Sequence, residues 1–209
     1  MEQNHLEEIC RNFIIKQSKT DAAHDLAHIQ RVVSTAKKLL KIEKADPEIV
    51  LAAAWLHDCI VLPKNHSKRN IASSLAAEKA AVFLKDTVFA NDKLQAVVHA
   101  IEAHSYSAGI APETIEAQIV QDADRIDALG AIGIARCFTV GGRLNIQMYN
   151  PEDPFCETRE PDDSSFTIDH FYKKLFRLPE TLNTESARVM AGQRIQFMQE
   201  YLARLSTEI

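Results

Sequence analysis

The chain reads as all-α, and three observations carry that reading. Apolar residues recur at three- and four-residue steps, as in Ile29, Val32, Val33, Ala36, Leu39 and Leu40 of "HIQRVVSTAKKLL". Strand-type alternation is nowhere sustained, and no internal repeat or low-complexity tract interrupts the helical pattern. The elements follow in order. After the helix around residues 28–40 comes Pro47 to Cys59, apolar on nearly every side, which marks a central helix buried by its neighbours. Further helices are expected near 70–85, 92–104, 114–138, 166–178 and 184–206. The stretch 141–165, "GGRLNIQMYNPEDPFCETREPDDSS", combines paired glycines, three prolines and clustered acids, a composition that favours a long irregular connection. Connections of that length are either lids and binding loops or disordered. A single domain over 1–209 is the simplest organisation, with a core at about 21–140 and C-terminal helices at about 166–207 packed on it.

The 209 residues are 46% hydrophobic and 25% charged, ordinary for a globular chain. The net charge of -5 argues against nucleic-acid binding by bulk attraction. No run approaches the roughly 18 apolar residues that span a bilayer, and "MEQNHLEEIC" lacks the basic-then-apolar order of a signal peptide, so a cytoplasmic location is expected. Cys10, Cys59, Cys137 and Cys156 are widely spaced, which indicates neither a disulfide framework nor a thiolate zinc site.

The eight histidines are more informative. "AAAWLHDCIV" places His57 and Asp58 where everything around them is apolar, and buried charges need a partner or a metal. Helical stripes show which polar groups could meet them. His28 falls in line with Val32, Ala36 and Leu39. In "QIVQDADRIDALGAIGIAR", Asp124 and Asp127 share a stripe with Val120, Ala128 and Ala131, whereas Asp122 sits with Gln118 and Arg125; Asp124 and Asp127 are therefore the expected inward carboxylates. His104 continues the stripe Leu94, Val97, Val98, Ile101, and His99 lies nearly opposite. A lone inward histidine is more often a hydrogen-bonded core residue than a ligand, and inward aspartates often cap helices or pair with arginine. Taken together, these groups on separate helices are hard to satisfy except around a cation. Imidazole and carboxylate without thiolate suit Mn, Fe, Ni, Zn or Mg, with Co also open.

In chain order, His28, the adjacent His57 and Asp58, and Asp124 form the H…HD…D arrangement of the HD-domain superfamily of metal-dependent phosphohydrolases, which this chain resembles. "AAHDLAHIQRV", "LHDCIVLPKNHSKR", "AHSYSAGIAPETIEAQIVQDADRIDALGAIGIAR" and "DHFYKKLFRLPETLNT" extend the resemblance to the small bacterial HD hydrolases of the YedJ and YpgQ type. The resemblance implies an all-helical HD fold, a divalent metal on His28, His57, Asp58 and Asp124, and hydrolysis of a phosphate ester or anhydride, with nucleotides as the superfamily's best-known substrates. Some relatives carry an acidic residue just after the HisAsp pair, where this chain has Cys59, Ile60, Val61 and Leu62. Asp127, His104 or His66 would then act as general acid or base, beside Asp58 in the catalytic set, or the metal alone would serve.

Such a metal lowers the pKa of bound water and polarises a phosphoryl oxygen. Lys64, Asn65, His66, Lys68 and Arg69 of "LPKNHSKR" are candidates for gripping phosphate, or else form a solvated basic turn. Arg125, about 100° round the helix from Asp124, either reaches substrate or pairs with Glu116 or Asp122. His24 and Asp25 are candidates for orienting the ligands, with an N-cap role equally open to Asp25. Lys174 and His170 are weaker candidates for a pocket wall, and Asp163 and Asp169 are expected to face solvent. The expected partner is a small phosphate compound, with a homodimer possible and neither membrane nor nucleic acid expected. The alternatives are a nucleotide-binding sensor with weak chemistry, a phosphodiesterase using the same site, and a structural metal protein.

Overall fold

The computed structural model describes residues 2–17, 26–62, 66 and 69–209. Among the described residues the fold is all-α: α1 (Glu2–Gln17), α2 (Leu26–Leu39), α3 (Pro47–Leu56), α4 (Ala72–Lys85), α5 (Leu94–His104), α6 (Ile115–Ile126), α7 (Gly130–Arg143), α8 (Asp169–Lys173) and α9 (Glu185–Leu205). Gln147 and Phe166 form an isolated parallel β-bridge, and no described helix is long and apolar enough to cross a membrane. The chain divides into two compact units, Met1–Asp124 and Arg125–Ile209.

In the first unit, α3 is the central helix that its uniform apolarity predicts. Every residue from Ile49 to Leu56 is buried, and α1, α2 and α5 all pack against it. Its start is fixed by Asp46, whose carboxylate accepts the Glu48 N–H at 2.9 Å, and by Pro47, which forgoes an N–H that has no partner in a first turn. Lys93 ties this cap to the next helical pair, 2.7 Å from Asp46 and 2.6 Å from Glu48. The Trp55 indole donates to Glu7 of α1, which also pairs with Lys37 of α2, so a polar contact pins three helices at the edge of the core. Small buried residues, Ala76, Ala77 and Ala80 on α4 and Ala100 and Ala103 on α5, let those two helices lie close together. The N-terminal helix α1 was not anticipated; it buries Leu6, Cys10 and Ile14 at four-residue steps and stacks Phe13 on Phe83 at 4.0 Å.

The single helix expected over 114–138 is broken into α6 and α7. Leu129 is extended (φ -115°, ψ 161°) and Gly130 is left-handed (φ 75°), a backbone state glycine adopts without a Cβ penalty. Arg194 of α9 donates to the carbonyls of Ile126 and Leu129, satisfying the end of α6. The helix expected over 166–178 reduces to α8 and a 3₁₀ turn, Leu175–Thr181.

The irregular connection begins at Leu144, since α7 continues through the paired glycines. It is internally tied. Asp153 accepts the backbone N–H groups of Glu157, Thr158 and Arg159, which hold its carboxyl down to about 2. Arg159 grips Asp169 with two nitrogens, at 2.5 and 2.8 Å, and lies over the Phe166 ring. Asp169 is thus completely buried rather than solvent-facing, because a guanidinium and the Asp162 N–H take its oxygens. Asp163, expected to face solvent, is partly buried between His170 and Lys173, each 2.9 Å away.

Candidate metal centre

Three chain segments of the first unit bring one imidazole or carboxylate after another to a common point. His28 comes from the buried face of α2. His57 is the helical C-cap of α3 and Asp58 follows it, so both stand where the helix leaves carbonyls unsatisfied and carries partial negative charge, an end that favours a cation. Asp124 comes from the last turn of α6. The ligand atoms of His28, His57 and Asp58 all lie within 4.8 Å of one another. Asp124 Oδ1 is 3.3 Å from His28 Nε2 and 3.9 Å from His57 Nε2, and Asp58 Oδ2 is 3.8 and 3.7 Å from the same two atoms.

The four imidazole–carboxylate separations, 3.3 to 3.9 Å, fit a shared metal. Two atoms each bonded to one ion at about 2.1 Å lie no more than about 4.2 Å apart. The imidazole of His57 supplies the sharper test. Its Nδ1 donates to the Ala54 carbonyl at 2.9 Å, which leaves Nε2 the unprotonated nitrogen of the neutral ring. That Nε2 is buried and has no hydrogen-bond partner, a costly state that a cation would relieve. Burial pushes the His57 pKa down, against the raising influence of Asp58, so the ring stays neutral and able to ligate.

Exposure grows across the cluster. The His57 and His28 side chains are 0% and 4% exposed, those of Asp58 and Asp124 14% and 28%, so the histidines form the closed back and the carboxylates the solvent side.

His104, the last residue of α5, adjoins the cluster as its stripe predicts. Its Nδ1 donates to the Ile101 carbonyl at 2.5 Å, its Nε2 lies 3.6 Å from Asp58 Oδ1, and its ring meets His57 edge-on at 4.9 Å. Burial opposes a charge on His104, but the hydrogen bond and charge of Asp58 outweigh it and raise the pKa. Burial likewise opposes the Asp124 carboxylate, and the hydrogen bond and charge of His28 overcome it, bringing the pKa down to about 2.

Asp127 is buried, but Arg136 in its own unit binds it at 2.6 Å. Asp122, expected on the outward side, is completely buried, since Gln121, Asp122 and Ala123 are enclosed one after another. Arg125 donates to the Thr181 carbonyl, and Arg69 to the Leu62 carbonyl at 3.0 Å. His66 is exposed. Lys64, Asn65, Lys68, His24 and Asp25 lie outside the described residues. His99 points away from the cluster and accepts the Glu113 N–H. Cys59, next to the HisAsp pair, turns its thiol to the Ala76 carbonyl, and burial pushes its pKa up to about 12.

The HD domain model matches residues 25–129, the span that holds His28, His57, Asp58 and Asp124. The chain belongs to the HD-domain family. Its relatives include YpgQ of Bacillus subtilis, 32% identical over 194 residues that cover 90% of this chain and 85% of that protein. Protein L803 of Acanthamoeba polyphaga mimivirus is 26% identical, with 90% of each chain covered. Among solved structures, B. subtilis YpgQ in complex with ADP covers 100% of this chain and 97% of its own at TM-score 0.76 and 31% identity. An HD-superfamily hydrolase from Bacillus thuringiensis is equally similar, with TM-score 0.76, 31% identity, and 100% and 98% coverage. The chain thus shares the HD fold.

The cluster makes stability depend on pH in metal-free protein. His57, with its lowered pKa, must take up a proton on unfolding below 6.5, so its contribution is complete above that value and is lost as pH falls. His104, with its raised pKa, contributes fully below 6.5 and loses that contribution as pH rises through its folded value. Urea midpoints measured in EDTA from pH 5 to 8 should peak near 6.5, and His104→Gln should flatten the alkaline side. A flat profile in the parent protein would contradict this electrostatic picture.

Proposed function

We propose that this protein is a divalent-metal-dependent phosphohydrolase that acts on a nucleotide or a related phosphate ester or anhydride. The observation that carries the reading is the orphaned Nε2 of His57, buried at the centre of a His28, His57, Asp58 and Asp124 set whose spacing suits one ion. When bound there, the ion would supply an acidified water and polarise a phosphoryl oxygen. The chain's own residues do the rest. Ala54 fixes the His57 tautomer through Nδ1, which leaves Nε2 as the nitrogen that would hold an ion. Asp58 splits its oxygens, Oδ2 toward His28 and His57 and Oδ1 toward His104, which places His104 to hold or pass a proton at its Nε2. Arg69, moored to the Leu62 carbonyl just beyond the HisAsp pair, is placed to offset phosphate charge, with Lys64, Asn65, His66 and Arg125 as further contacts. The similarity to a YpgQ structure in complex with ADP supports a nucleotide as the substrate class.

A second reading, a nucleotide sensor with little turnover, is favoured by one observation. No carboxylate follows Asp58, since Cys59 stands there with its thiol kept protonated, and Asp127 is engaged by Arg136. Phosphate and pyrophosphate release from nucleoside mono-, di- and triphosphates and a generic phosphodiester, with Mn, Mg, Ni, Co, Fe or Zn added to stripped protein, separates the two. Metal-dependent turnover is expected; nucleotide binding without release from any of these compounds would establish the sensor.

A further inference from the structure

We infer that Tyr106 is the base-stacking element of the nucleotide site, an assignment that rests on the nucleotide reading above. Tyr106 is 79% exposed, the most exposed among the large apolar and aromatic side chains of the described residues. A single exposed ring is ordinary on a protein surface, so its position decides the matter. Tyr106 follows His104 by two residues, and consecutive Cα atoms are about 3.8 Å apart, so its backbone stands within about 8 Å of that of His104. His104 Nε2 is in turn 3.6 Å from Asp58. A nucleoside diphosphate whose terminal phosphate meets the metal centre extends its base away from that centre, and the turn after His104 borders it.

The turn that presents Tyr106 is built to hold it. Helix α5 stops at His104, because Ser105 is extended (φ -79°, ψ 125°), and the 3₁₀ turn Tyr106–Ala108 starts at once. The hydroxyls of Ser105 and Ser107 are hydrogen-bonded at 3.0 Å across the ring's own residue. Gly109, left-handed at φ 66°, closes the turn. This turn packs on a second 3₁₀ turn, Arg69–Ile71, where Ile71 is 40% exposed. An exposed ring, an exposed aliphatic side chain and a guanidinium moored close to the HisAsp pair are thus gathered on one rim. That is the chemistry of nucleotide recognition: an apolar face for a base and a cation for phosphate.

The test uses a matched pair of non-hydrolysable ligands, α,β-methylene-ADP and methylenediphosphonate, titrated calorimetrically into the Mn-loaded parent protein, Tyr106→Ala and Tyr106→Phe. Tyr106→Ala should weaken the nucleotide about tenfold, the range of a lost base–aromatic stack, and leave methylenediphosphonate unchanged. Tyr106→Phe should bind both as the parent does. Equal affinity of parent and Tyr106→Ala for the nucleotide overturns the assignment, as does equal weakening of both ligands. A parent protein that binds methylenediphosphonate but gains nothing from the nucleoside also overturns it, with the phosphate reading left standing. A parent that binds neither ligand removes the phosphate reading, and the stacking role with it.

Discussion

Replacing Asp58 with asparagine should abolish metal-dependent phosphate release while leaving the chain folded. The carboxylate supplies one of two negative charges in the candidate metal centre, and its Oδ2 faces both His28 and His57 within 3.8 Å. Losing a residue behind a metal ligand already costs about 10- to 100-fold in affinity, so loss of a ligand should cost more than a hundredfold. A bound ion contributes several kcal/mol of charge stabilisation at a phosphoryl centre, and about 1.4 kcal/mol is a factor of ten, so turnover should fall by about a thousandfold or more. Calorimetric titration with Mn, a turnover assay and a melting curve in EDTA check the three parts separately. Asparagine fills the same volume, so the EDTA melting temperature should stay close to the parent's. Parent-like metal affinity in Asp58→Asn would show that the ion, if any, lies elsewhere.

How legible this centre was depends on which residues had to be read. His28 and His104 extend regular apolar stripes, and both are buried where those stripes point. Asp58 and His57 announce themselves by breaking the most apolar run in the chain, and α3 ends just before them. Periodicity fails where a helix is enclosed on several sides at once. Around Gln121, Asp122 and Ala123 the burial is continuous, so a stripe could not tell Asp122 from its neighbours. It also fails at Gly130, where one left-handed residue splits a helical pattern that reads as continuous. The resemblance supplied the ligand set as a whole; stripes alone had left Asp124 and Asp127 equivalent. Arg136, seven residues into the next helix, engages Asp127 at 2.6 Å. The ordered connection after α7 was least legible, because its ties run between residues with no regular spacing.

The largest stability effect should come from that connection. In Arg159→Ala, the carboxylate of Asp169 would remain fully buried with its two charge-assisted bonds removed, leaving it the Asp162 N–H and the Cys156 thiol. Removing one partner of a buried pair typically costs about 3–5 kcal/mol, and because Arg159 keeps 23% of its side chain exposed the low end, about 3 kcal/mol, is expected. The surplus over an ordinary surface substitution comes from Asp169, not from lost contacts of Arg159, and a second variant isolates it. Asp169→Asn combined with Arg159→Ala leaves no buried charge, so it should recover part of the loss. Urea midpoints of the two single variants and the double variant measure this coupling directly. Losses that simply add would mean that Arg159 acts through its packing on Phe166 rather than through the carboxylate. Coupling, by contrast, would identify Arg159 and Asp169 as the pair that orders an otherwise irregular stretch, because a buried carboxylate tolerates few backbone arrangements that leave it unpaired.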